Sequence, residues 1–173
     1  MKNWVKYTTA FLSVFLIRLL PFRAPNVEPI MAVIMPFGKV YGGLMTFIFG
    51  FLSIVVFDSV TSGFGIWTLV TAVAYGSLGL GSNYFFKNRS GWKNYASYAV
   101  IATVLYDMVT GLTIGPLFFH QSFIVSLLGQ IPFTVIHLLG NVSFAIVLSP
   151  LIELWASKEE VVFTEKKEVV FVG

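Results

Sequence analysis

Long apolar stretches alternate with short connections along this chain, and the basic residues sit almost entirely in every second connection. Divided into six apolar spans, the sequence carries Lys2 and Lys6 before the first and Lys39 between the second and third. Lys87, Arg89 and Lys93 lie between the fourth and fifth, and Lys158, Lys166 and Lys167 follow the sixth. Only Arg18 and Arg23, of eleven lysines and arginines, fall on the other side. Basic residues are retained on the cytoplasmic face of a membrane. The alternation therefore predicts a multi-pass cell-membrane protein with six transmembrane helices and both termini cytoplasmic.

Composition points the same way. Hydrophobic residues make up 57% and charged residues 11%, against about 25% charged in an ordinary soluble domain. Such a chain cannot cover a water-facing surface, so its solvent must be a lipid bilayer. A pI of about 9.2 does not argue for nucleic acid, because the cationic residues are accounted for as cytoplasmic anchors. Without cysteine there is no disulfide, thiolate metal site or thiol nucleophile. The basic start and first apolar run lack a small-residue cleavage site before Pro21-Phe22-Arg23, so the run reads as a retained helix.

The predicted fold class is an all-α integral membrane protein, with residues 1–156 forming one six-helix bundle and 157–173 a cytoplasmic tail. Span 1 covers about residues 4–20, span 4 about 66–86, span 5 about 95–115 and span 6 about 131–155. Spans 2 and 3 share Pro29 to Phe57, broken at Pro36-Phe37-Gly38-Lys39. Each half is then short of the ~20 residues that cross a membrane unaided, and must be tilted or packed inside the bundle. Residues 117–129 read as a short outer helix or loop, and the tail, which repeats Glu-Val-Val-Phe, as a loose hairpin or disordered. Glycines recur in spans 3 and 4 (Gly43, Gly50, Gly76, Gly79 among them), where small residues let helices approach closely in lipid.

Polar residues inside these spans are the candidate site, because ionisable groups at membrane depth are costly and normally face an interior or cavity. Asp107 in span 5 has Thr103 and Thr110 on the same helical face. Gln130, Thr134, His137 and Asn141 form a stripe along span 6. Trp67, Thr68, Thr71 and Tyr75 mark span 4, and Asp58 closes span 3. All cluster in the outer halves of the spans. That predicts a pocket opening outward, suited to a small, partly planar organic ligand. Asp58 also fits a helix-end or interface residue, and the threonines fit bonding back to their own backbone. Arg18 fits either the ligand or the outer interface. No nucleophile elbow, metal-ligand spacing or ATP-binding loop is present, so no catalytic residue, metal or cofactor is assigned.

A first span ending in a proline-bearing loop, a short second span, and Phe37-Gly38-Lys39-Val40-Tyr41-Gly42-Gly43 leading into a third resemble the substrate-binding components of energy-coupling factor transporters. In riboflavin-type members a proline follows the phenylalanine-glycine pair, where Lys39 stands here. Phe57 to Thr68, and Pro132-Phe133-Thr134 through His137 and Gly140-Asn141 to Pro150, are similar to the family as well. The resemblance covers about residues 5–155 as architecture and loose motifs. It implies a subunit that captures a vitamin or related micronutrient from outside. Delivery then involves a transmembrane coupling subunit and two cytosolic ATPases, with toppling of the loaded subunit in the membrane. The family's small-residue patch on the first helix corresponds here to Thr9, Ala10 and Ser13. Substrate-binding positions by this reading are Asp58, Trp67, Thr68, Thr71, Asp107, Thr110, Gln130, His137 and Asn141. Two other readings compete: a membrane enzyme using Asp58, Asp107 and His137 on a lipid-like substrate, and a ligand-free scaffold subunit. Riboflavin, thiamine, folate and precursors of cobalamin or queuosine are all compatible ligands.

Overall fold

A computed structural model describes residues 3–22 and 27–170, with side chains described as far as Lys158. Six α-helices account for them: α1 (Asn3–Arg18), α2 (Ile30–Tyr41), α3 (Gly43–Val60), α4 (Ile66–Phe86), α5 (Trp92–Phe118) and α6 (Phe123–Val170). The described residues include no strand.

α2 organises the bundle. Its residues from Ile30 to Gly38 are all buried, and it packs against α3, α4, α5 and α6. A helix apolar on every side belongs in a core rather than at a surface. Pro36 lies inside it, and a mid-helix proline leaves the carbonyl four residues earlier without a donor. That carbonyl is Ala32, and Ser149 of α6 donates to it at 3.0 Å. The replacement bond keeps α2 helical through Pro36, so the break expected at Pro36–Lys39 does not occur there. The break falls instead at Gly42, whose φ of 82° is open to glycine and strained for other residues.

α3 and α4 meet through glycines. A Cβ on Gly50 would stand 2.8 Å from the Tyr75 carbonyl oxygen, and one on Gly79 would stand 2.7 Å from that of Thr46. Backbone touches backbone there, which is the close approach expected of small residues in a membrane bundle. α5 and α6 form an antiparallel pair joined at Phe119–Ser122, with Asp107 opposite His137 and Thr103 opposite Asn141. α1 lies chiefly along α3 and is tied at both ends. Lys6 donates to the Ala156 carbonyl at 2.8 Å, and Arg18 to that of Ser53 at 2.7 Å.

The two ends of the bundle differ in character. At one, Lys39 bonds Glu153, Ser90 and the Arg89 carbonyl, and Tyr95 donates to Glu153 at 2.8 Å. The start of α1, the end of α2, the α4–α5 turn and α6 thus gather together, which brings Lys6, Lys39 and Arg89 to one end. At the other lie Arg18, Asp58, Thr68 and the α5–α6 connection.

Several boundaries differ from those read in the sequence. α3 is not short, because Gly42 rather than Pro36 ends α2. Residues 117–129 are neither a separate helix nor one loop: α5 reaches Phe118 and α6 starts at Phe123. α6 continues without a break past Ser157 to Val170, where a hairpin or disordered tail was expected. Arg23, counted among the outer basic residues, lies outside the described residues. Three helices (α3, α5 and α6), not six, are long and apolar enough to cross a membrane on their own. α1 has 16 residues and α2 has 12, while threonine, tyrosine, serine and asparagine dilute the 21 residues of α4.

Candidate outward-facing binding site

The antiparallel register of α5 and α6 sets the centre of the site. Thr103, Tyr106, Asp107 and Thr110 share one face of α5 by their spacing, and His137 and Asn141 share the opposing face of α6. His137 Nδ1 lies 2.7 Å from Asp107 Oδ1, and Asn141 Nδ2 donates to Thr103 Oγ1 at 2.8 Å. With the hydrogen on Nδ1, His137 donates to the carboxylate and its Nε2 is left to accept from Tyr75, whose hydroxyl is 3.4 Å away. Asp107 and Asn141 are fully buried, and His137 is 3% exposed. Each of these groups has at least one partner on the facing helix, as polar groups at depth in a bundle require. The sequence grouped Asp107, His137 and Asn141 as candidates, and the fold does bring the three together.

Aromatic rings surround this polar core. Tyr75 and Tyr106 lie 4.5 Å apart between centroids. Tyr106 and Phe133 stand edge-on to His137 at 5.6 and 5.8 Å. Above these rings a cleft of about 490 Å³ opens between α4, α5 and α6. Thr71, Tyr106, Thr110, Gln121, Ser126 and Gln130 line it, with Phe133 and Gly111. The Gln130 amide lies directly over Gly111, where a Cβ would stand 1.8 Å from Gln130 Oε1 unless that side chain turned away. The cleft lies at the end of the bundle opposite the Lys39–Glu153 cluster. A larger groove of about 590 Å³ between α4 and α5 is almost entirely apolar, lined by Leu69, Val73, Leu105 and Val109 among others. It offers little to orient a polar ligand, so the smaller polar cleft is the candidate site.

The remaining candidates divide. Thr71, Thr110 and Gln130 line the cleft, but the two threonine hydroxyls donate to Trp67 O and Tyr106 O of their own helices at 2.7 and 2.8 Å. Asp58 and Thr68 do not line it. Thr68 donates to Asp58 at 2.7 Å and accepts from the Gly65 amide at 3.2 Å, which clasps the α3–α4 turn. Trp67 is partly exposed and covers Gly65. Arg18 turns inward: it pairs with Glu28 at 3.3 Å and lies 3.8 Å over the Phe57 ring.

Sequence reasoning did not place Tyr106, Phe133, Gln121 or Ser126 at the site, nor Glu28 beside Arg18. Tyr106 was legible, since it stands three residues from Thr103 and four from Thr110 on the Asp107 face. Phe133 likewise stands four before His137. Gln121 and Ser126 depend on where α5 ends, and Glu28 on how the α1–α2 connection returns to Arg18, neither of which leaves a spacing signal.

On α1, Ala10 is buried while Thr9 and Ser13 are exposed. They border a groove of about 370 Å³ shared with Val33 of α2 and Leu148, Ile152 and Trp155 of α6. No family model, no curated protein and no solved structure matches the chain.

Proposed function

We propose that this protein is the membrane-embedded substrate-binding subunit of an energy-coupling factor type importer. In this reading all six helices lie in the bilayer, with both termini cytoplasmic. The observation that carries it is the polar core of Asp107, His137 and Asn141 lying beneath an outward cleft edged by amide and hydroxyl groups. Buried polar groups and aromatic rings under one cleft fit capture of a small planar micronutrient. The basic cluster at the opposite end fits the cytoplasmic face. α1, α2 and α4 fall short of a free-standing span, yet packed inside a bundle they need not meet lipid along their whole length. The sequence holds no ATP-binding loop, which fits energy supplied through a coupling subunit and its ATPases. The test is to purify the protein from its cells, denature it and identify released small molecules by mass spectrometry. A stoichiometric planar micronutrient supports the proposal. Protein that carries none, and binds none from a vitamin panel, sinks it.

One observation favours a second reading. Tyr75, His137 and Asp107 form a hydroxyl–imidazole–carboxylate series of the kind used in acid–base enzymes. Tyr75 is only 1% exposed, so its hydroxyl is not presented to the cleft, and the series is assigned to positioning rather than to catalysis. Turnover of a lipid-like substrate that is abolished by Tyr75→Phe would reverse that assignment.

A further inference from the structure

Two acceptors on facing helices are buried without a donor. Asp107 Oδ2 and Asn141 Oδ1 are shielded from solvent and have no hydrogen-bond partner, and both residues are 0% exposed. Their other polar atoms are engaged, Asp107 Oδ1 with His137 and Asn141 Nδ2 with Thr103. Native interiors keep few such groups, and each one calls for a partner. The surroundings hold charges of both signs. Glu28 and Asp58 lie near enough to act electrostatically on Tyr106. The guanidinium of Arg18 is paired with Glu28, and its buried Nε has no partner. Asp58 is held by Thr68 in the α3–α4 clasp. Flat rings from Tyr75, Tyr106 and Phe133 pack around His137, beside the two acceptors.

We infer that the buried end of the site takes a planar, nitrogen-rich group that presents N–H donors, such as an amino-substituted heterocycle or an amidine, and not a carboxylate or phosphate. This deepens the proposed binding function and rests on it. The donor edge reaches Asp107 Oδ2 and Asn141 Oδ1, while the ring stacks against the tyrosines. Phe133 lines the cleft and stands edge-on to His137, so in this proposal the ligand displaces that ring to reach the buried pair. The Gln130 amide, which lines the cleft, is left for the solvent-facing part of the ligand, while the Thr110 and Ser126 hydroxyls already donate to Tyr106 and Gln121.

Benzamidine and benzoate test this directly, because they share one shape and differ in offering donors or acceptors at the same position. The full chain is titrated calorimetrically in nanodiscs with each. Benzamidine should bind at least tenfold more tightly than benzoate. Asp107→Asn should shrink that preference to under threefold. Asn141→Ala, which leaves the Asp107–His137 pair in place, serves as the second variant and should reduce it as well. Gln130→Leu should weaken both probes alike. Equal or tighter benzoate binding that still responds to Gln130→Leu overturns the donor inference and keeps the cleft as a binding site. That is also the result if the Asn141 amide turns to donate to Asp107, so that the two satisfy each other. Binding of neither probe, or binding indifferent to Gln130→Leu, removes the outward-site reading together with the inference.

Discussion

Ser149 of α6 donates to the carbonyl of Ala32 in α2, 3.0 Å away, and that carbonyl is the one Pro36 deprives of its helical donor. A defect in one helix is thereby repaired by another, and the repair fixes how α6 lies on the central helix. Removing the hydroxyl leaves a buried acceptor unmet, which costs about 1–3 kcal/mol. Ser149→Ala should therefore lower the unfolding temperature measured in detergent. In a Pro36→Ala background the helix regains its own donor, and Ser149→Ala should then cost less than about 0.5 kcal/mol. Equal losses in both backgrounds would show that the bond has no such role.

Gly79 makes a different kind of contact, because its neighbour is backbone that cannot turn away. A Cβ there would lie 2.7 Å from the Thr46 carbonyl oxygen. Gly79→Val should push α3 and α4 apart and destabilise the protein by about 1–3 kcal/mol, as overpacking does. Gly42→Ala meets no atom within 4 Å but sits at φ 82° and ψ 166°, so its cost comes from strain alone, about 1–3 kcal/mol. Unfolding in a denaturant series measures both. Retention of full stability by Gly79→Val would mean that the helices are not in backbone contact.

Asp107 and His137 should behave as a coupled pair. Asp107→Ala strips a buried imidazole of its partner, and His137→Ala leaves the carboxylate still less satisfied. Each should weaken ligand binding and stability by about 1–3 kcal/mol. The double variant should lose less than the sum, with a coupling of at least about 0.5 kcal/mol. Strict additivity would place the two side chains in independent environments.

The membrane arrangement is testable through its turns. Gly63 lies in the α3–α4 connection and Gly91 in the α4–α5 connection. A reporter fused after Gly63 should read as outside, and one after Gly91 as inside. Any other pairing overturns the six-span, cytoplasmic-termini proposal drawn from the basic residues.

Periodicity and charge made much of this visible in the sequence. Asp107, His137 and Asn141 were legible because an ionisable or amide group in an apolar span needs a partner, and helical spacing says which neighbours share its face. The order of six helices followed from apolar runs and their connections. The exact break between α2 and α3 was not legible, because it depends on Ser149, more than a hundred residues away, rescuing the Ala32 carbonyl. Asp58 shows the opposite limit. Its place at the outer end of span 3 marked it for the site or for a helix-end role, and Thr68, ten residues on, holds it at 2.7 Å in a clasp that spacing alone does not distinguish from a ligand contact.

The last expectation concerns α1. The helix is tied at its ends by Lys6 and Arg18, while Thr9, Ala10 and Ser13 border a shallow groove beside Leu148, Ile152 and Trp155. A helix from another subunit could lie closely on such small residues, whereas a large side chain would fill the groove. In the importer reading, Ser13→Trp, or Thr9 and Ser13 both changed to leucine, should abolish uptake and co-purification with a coupling subunit. Ligand affinity should stay within about twofold, a difference under ~0.5 kcal/mol, because Ser13 does not line the cleft between α4, α5 and α6. Uptake that survives the bulky changes would rule α1 out as the docking face. Loss of ligand binding along with uptake would show that the groove and the cleft are not separate surfaces.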